Sequence, residues 1–299
     1  MSTSSSDSLS LPEFGAIAAI VVIWGVNNAA AMVATDVLPP LLLAALRFGM
    51  AALVLIPFLK PPFPEARSLA VLVLLGGPIH FGLIYVGYWL AEDLSPFVVA
   101  QQMWIPFTAL VAFLLLGERL KRLAVVGLVV AFIGVAWMTA DPRALRDWIP
   151  ILIGLVAGLA WAGCTVLARR TRGVSPFTMQ GLLATGTAPV MAVGSLIFER
   201  GQIEAIRSAD GLVWAAVVWA GLVSSIVATG LLFWLVQKRE AGRVTPYLLA
   251  TPLVSCLIGV SFLGDFLTPQ IIIGGLIAMA GVALVALAER GLRSGAASS

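Results

Sequence analysis

Few residues in this chain could do chemistry, and they sit inside long apolar runs. His80 is the only histidine among 299 residues, and it follows Gly76-Gly77-Pro78 near the middle of one run. An imidazole there can hydrogen-bond a solute or carry a proton, because ionisable groups within apolar spans usually face a cavity or the bundle interior. A neutral ring held by a backbone carbonyl is the plainer reading of the same residue. Gly and Pro loosen the helix just before it, and backbone groups freed in that way can line a cavity.

The other candidates are amides, hydroxyls and indoles. Trp24 and Asn28 are one helical turn apart on one face, with Asn27 beside them. Eleven residues separate Glu13 from Trp24, roughly 16 Å of helix at about 1.5 Å per residue, so the cluster lies near mid-span. Gln101, Trp104 and Thr108 fall at i, i+3 and i+7, again on one face, with Gln102 adjacent. Trp161 and Thr165 are one turn apart, and Thr251 precedes Pro252 and Ser255 in a later run. A pocket lined by Trp24, Trp104 and Trp161, with amides and hydroxyls between, suits reversible binding of an amphipathic organic solute. Helix–helix hydrogen bonding is the competing use for each amide.

Absences narrow the chemistry further. Glu92, Asp93, Glu118 and Asp265 stand at run ends, and no carboxylate lies deep in a run. An intramembrane aspartyl protease needs two such aspartates, and Phe262-Leu263-Gly264-Asp265 lacks the first glycine of a Gly-x-Gly-Asp pattern. A single histidine cannot supply a zinc cluster, and no Gly-x-Ser-Gly hydrolase site is present. Cys164 and Cys256 lie in apolar runs and read as small buried thiols. The sequence therefore points to no enzyme, no metal and no cofactor. Arg47 is the one basic residue deep within a run, where a structural role is the expectation, by snorkelling or by pairing with a loop carboxylate.

The composition says what kind of element must hold these groups. Hydrophobic residues make up 60% of the chain and charged residues 11%, against about 25% charged in a soluble domain. A spanning helix needs about 20 mostly apolar residues. Ten runs meet that need, at 13–34, 38–59, 68–91, 95–116, 121–140, 148–169, 176–198, 210–237, 243–263 and 268–289. Splitting or merging the run around Gly76-Gly77-Pro78 gives nine instead. The first twelve residues hold no Lys or Arg, which argues for a retained first helix over a cleaved signal peptide. Short connections make neighbouring helices antiparallel. With the N-terminus cytoplasmic, thirteen Lys and Arg fall on that side, and Arg143, Arg146, Arg200 and Arg207 fall outside. That bias argues for an even number of spans and two cytoplasmic termini. The net charge of +3 is then a topology signal and marks no nucleic-acid surface. Trp89, Trp148 and Trp214, near span ends, read as interfacial belt residues.

The chain also repeats itself. Gly117-Glu118-Arg119-Leu120 aligns with Gly264-Asp265-Phe266-Leu267 at an offset of 147, which also pairs Gly127 with Gly274, Ala131 with Ala278 and Gly134-Val135 with Gly281-Val282. Ser95-Pro96 resembles Thr245-Pro246, and Trp24-Gly25 resembles Trp161-Ala162. Residues 13–140 and 148–289 thus form two halves of five spans, between tails 1–12 and 290–299. An odd number of spans per half inverts the second copy, an arrangement typical of transporters that work by alternating access.

Trp24-Gly25, Arg47-Phe48, the Gly117-Glu118-Arg119 turn and the Gly127/Gly134 and Gly274/Gly281 spacings resemble the drug/metabolite transporter superfamily, EamA type, over nearly all of 13–289. Within it, the chain is most similar to bacterial amino-acid exporters of the YddG type. The resemblance implies a bacterial inner-membrane protein that exports aromatic and other neutral amino acids through a cavity between the halves, with the solute and the lipid bilayer as its partners. A multidrug or other metabolite exporter is the alternative. One departure is Asp265-Phe266 in place of Glu118-Arg119, so the second turn is not expected to form the same ion pair. Proton-antiporting small multidrug exporters depend on a carboxylate in their first span. Here that span offers asparagines, so facilitated export is expected, with His80 the only proton-coupling candidate. A phosphorylated substrate would want basic groups at mid-span, where only Arg47 comes close. The fifth and tenth spans, rich in glycine and poor in polar groups, read as close-packing faces within a protomer or between two.

Overall fold

The computed structural model describes residues 10–117, 120–168, 174–238 and 247–296, and no strand occurs among them. The Glu118-Arg119 pair, Arg169, Arg170, Arg172 and the Thr245-Pro246 step lie outside the described residues.

Ten helical segments follow the apolar runs. They are α1 (Leu11–Thr35), α2 (Pro40–Leu55), α3 (Ala66–Leu90), α4 (Leu94–Leu116), α5 (Arg122–Thr139), α6 (Trp148–Ala168), α7 (Pro176–Phe198), α8 (Gly211–Leu232, continuing to Lys238), α9 (Thr251–Leu263) and α10 (Pro269–Ala296). Nine are long and apolar enough to cross a bilayer by themselves, and α9 is the short one among the described residues. The tenth helix runs past the expected limit of 289 to Ala296. A short surface helix, Gln202–Ser208, joins α7 to α8.

Local chemistry sets the helix ends. The Ser10 N–H donates to Glu13 Oε2 at 2.7 Å, and Ser175 Oγ accepts from the Thr178 N–H at 3.0 Å to start α7. Asp210 Oδ1 accepts from the Leu212 and Val213 N–H groups at the start of α8. Gly117 (φ +67°) and Gly264 (φ +81°) end α4 and α9 in the left-handed conformation, which glycine adopts without a Cβ clash.

The repeat is visible in shape as well as in sequence. α3 carries a π-helical turn at Leu75–Ile79, and α8 carries one at Trp219–Ala228 that spans the positions 147 residues later. α4 breaks at Gln102–Met103, and a turn at Leu249–Ala250 precedes Thr251 at the same offset. The second copy is inverted. Asp265, beside the left-handed Gly264, meets the start of α4 at Leu94 and Ser95, whereas Gly117 ends that same helix. The two equivalent turns therefore lie at opposite ends of the bundle.

α5 and α10 form the closest helix pair. A Cβ on Gly134 would strike the Ala278 backbone, and one on Gly281 would strike the Ala131 backbone. One on Gly274 would stand 2.6 Å from the Met138 nitrogen. The glycine faces expected to pack closely thus pack against each other within the chain. Of the tryptophans near span ends, Trp89 and Trp148 are about half exposed and Trp214 is 36% exposed.

Candidate functional site

The π turn of α3 comes first, because it places the residues that follow. Gly76 packs against Cys164 Sγ and Gly77 against Thr187 Oγ1, too close for any side chain at either position. π turns are wider than α turns and recur at functional sites. His80 opens the next helical segment. Its Nδ1 lies 2.8 Å from the Ala157 carbonyl oxygen. A carbonyl only accepts, so Nδ1 carries a proton and donates to it. The ring lies 4.8 Å from Trp161 and 4.6 Å from Phe81, and Phe81 meets Trp161 edge-on at 5.9 Å. His80, Phe81 and Trp161 are all half-buried.

A chain of hydrogen bonds joins four helices nearby. Gln101 Nε2 donates to Tyr88 Oη at 3.2 Å. The Tyr88 hydroxyl donates to Asn28 Oδ1 at 2.9 Å, and Asn28 Nδ2 donates to Ser255 Oγ at 3.0 Å. The Ser255 hydroxyl faces the Gly25 and Thr251 carbonyls at 3.2 and 3.3 Å. This chain links α4, α3, α1 and α9. A Cβ on Gly158 would stand 3.2 Å from the Trp104 nitrogen, so α6 seats directly on the break in α4, one residue beyond the acceptor of His80.

Arg47 takes neither of its expected courses. It is buried and does not snorkel, and no carboxylate reaches it among the described residues. Nε donates to Ser225 Oγ at 3.3 Å and Nη1 to Tyr85 Oη at 3.0 Å. The guanidinium carbon stands 5.3, 4.9 and 5.9 Å from the ring centres of Phe48, Phe81 and Tyr85.

The ten candidates read from sequence separate by what their polar atoms do. His80 meets Trp161, and Asn28 and Gln101 meet at Tyr88. Trp24 is half-buried against the apolar cluster of Ile17, Ile20, Val21 and Leu235, and Trp104 against the one that holds Met103 and Ile151. Thr108 and Thr165 donate to the Trp104 and Trp161 carbonyls one turn back, so their hydroxyls are used within their own helices. Asn27 Oδ1 and Thr251 Oγ1 are buried without a partner. Sequence reasoning missed Phe81, Tyr85 and Tyr88. Their spacing of four and three residues, on one face of α3 just after His80, is the signal that could have found them.

A second set of polar groups lies at the end opposite the termini. Asp265 accepts from the Leu94 N–H at 3.0 Å, the Ser95 N–H at 2.8 Å and the Ser95 hydroxyl. Asp147 accepts from the Glu92 and Asp93 N–H groups at 3.0 and 3.1 Å. Glu199 accepts from Leu41 and Leu42 at 2.7 and 3.1 Å, and Thr268 donates to Asp141 at 2.6 Å. Burial pushes the Asp147 carboxyl above its ordinary range while its two N–H donors pull the other way. Burial, with the Asp265 charge nearby, raises Asp93 as well.

Comparison with known proteins places the whole chain in context. The EamA-like transporter family matches residues 13–140 and again 148–287. An uncharacterized inner membrane transporter of Escherichia coli, YedA, is 27% identical over 86% of this chain and 85% of its own. A probable amino-acid metabolite efflux pump of Salmonella typhimurium is 26% identical over 88% and 91%. The uncharacterized transporter YvbV of Bacillus subtilis is 28% identical over 90% of each chain. A solved crystal structure at 20% identity superposes with a TM-score of 0.63 over 94% of this chain and 98% of that one, which speaks to the fold.

Proposed function

This chain belongs to the EamA-like transporter family, and we propose that it exports neutral amino acids, aromatic ones among them, across the bacterial inner membrane with both termini in the cytoplasm. The observation that carries the proposal is the mid-bundle site. His80, Phe81 and Trp161 meet ring to ring, and the Gln101–Tyr88–Asn28–Ser255 chain joins α3 about two turns further on. Aromatic faces bind an apolar side chain or a cation, and the amides and hydroxyls can meet the polar groups of a small zwitterion. The name of the Salmonella relative, a probable amino-acid metabolite efflux pump, agrees with this reading. Helices from both halves contribute, so rocking one half against the other opens the site to alternate sides. His80 donates to a carbonyl and no mid-span carboxylate lies near it among the described residues, which favours facilitated export over proton antiport.

The test is a substrate panel on purified protein in liposomes, comparing amino acids, quaternary ammonium compounds and nucleotide sugars. Saturable transport confined to amino acids is the expected result. Transport of quaternary ammonium compounds alone would make the protein a drug exporter. Replacing His80, Trp104 or Trp161 by Ala should impair transport while leaving membrane insertion intact, and normal transport by all three variants would remove the site. Strong uptake driven by an imposed pH gradient would rule out the uncoupled mechanism.

A further inference from the structure

Arg47 is the eighth of the sixteen residues of α2, is buried, and among the described residues finds neutral acceptors, Tyr85 Oη and Ser225 Oγ. A guanidinium does not give up its proton in a protein, so the charge stays. A buried cation with no anion is costly, and three aromatic rings offset only part of that cost. We propose that Arg47 is the counter-ion for the carboxylate of the transported solute, an assignment that rests on the amino-acid reading above.

The surroundings fit that role. Phe81 touches both the guanidinium and the His80–Trp161 pair, and Tyr85, which accepts from Arg47, meets Tyr88 edge-on at 6.3 Å. A solute anchored at Arg47 therefore lies within reach of the stacked rings and of the Tyr88–Asn28 hydrogen bond. The charge count favours a monocarboxylate. His80 spends its Nδ1–H on the Ala157 carbonyl, and no second Lys or Arg lies mid-bundle among the described residues, so a phosphate dianion would keep an unmatched charge. The ammonium of a zwitterion has the Asn28 and Gln101 amide oxygens and the Trp161 face available.

A rivet that merely joins α2, α3 and α8 would also use Arg47, so the experiment reads selectivity. The full-length protein in liposomes is offered phenylalanine or phenylalaninamide, which keeps the ring and the amine but lacks the carboxylate. In Arg47→Gln, transport of phenylalanine should fall on the order of 10- to 100-fold, the range for losing a charge-assisted hydrogen bond. Transport of the amide should change little, and Arg47→Lys should keep part of the preference. Retention of the full acid-over-amide preference in Arg47→Gln overturns the assignment. Should that variant not fold, thermal stabilisation of the wild-type protein by each ligand decides, and equal stabilisation by acid and amide also overturns it. If the wild-type protein transports no amino acid, the exporter reading fails by itself. Arg47 is then judged with 3-phenylpropionate against 3-phenylpropanamide, where stabilisation by the acid alone upholds it and equal effects refute it.

Discussion

The end of the bundle opposite the termini and its middle use polar groups in opposite ways. At that end, Asp265, Asp147 and Glu199 each accept two or more hydrogen bonds, chiefly from N–H groups at the starts of helices. The first N–H groups of a helix have no partner within it, so these carboxylates complete each other's needs and those of the helices. In the middle, capacity is left over. Asn27 Oδ1 and Thr251 Oγ1 are buried and unpaired, and Arg47 meets neutral acceptors. Saturated groups hold a structure together, and groups with spare capacity can recognise something.

The contrast is open to direct tests. Asp265→Ala leaves three donors at the start of α4 without an acceptor, and its cost in unfolding free energy should be about 2–5 kcal/mol. Thermal unfolding in detergent measures this, and the surviving protein should keep its substrate preference. Tyr88→Phe attacks the middle. It cuts the link from Gln101 to Asn28, and substrate affinity should fall about tenfold while stability changes by about 1 kcal/mol. A stability loss as large as that of Asp265→Ala, with affinity intact, would erase the distinction between the two regions.

A pH titration probes the same end more gently. The raised pKa values of Asp93 and Asp147 mean that the folded protein binds these protons more tightly than the unfolded chain. Stability from them should therefore hold or rise as pH falls from neutral into the window just above the ordinary carboxylate range. Asp147→Asn should flatten that dependence in thermal unfolding, and a steeper loss on acidification would contradict the burial argument. The smallest effects belong to Thr108→Val and Thr165→Val. Their hydroxyls serve only their own helices, so stability should stay within about 0.5 kcal/mol and transport should not change.

Much of the fold was legible because lipid forces a simple code. A run of apolar residues can only be a spanning helix, and the offset of 147 aligned by Gly117 and Gly264 returns in the paired π turns of α3 and α8. The candidate site was legible where a polar residue stood out in an apolar run, as Asn28, His80 and Gln101 do. Tyr85 and Tyr88 were overlooked because aromatic residues are common in spans, and their hydroxyls gain meaning only from partners on α2, α4 and α1. The partners of Arg47 were hidden for a related reason. A sequence shows a charge within a helix but not which neighbours fail to neutralise it. The carboxylates at the loops concealed their role because Asp265 acts on Ser95, 170 positions earlier in the chain.

The glycine contact between α5 and α10 has one more consequence. One of these helices comes from each half of the chain, and their backbones touch so closely that neither can slide along the other without collision. The pair is thus a seam that fastens one half to the other. A cycle that rocks the halves, as proposed above, would have to turn about this seam.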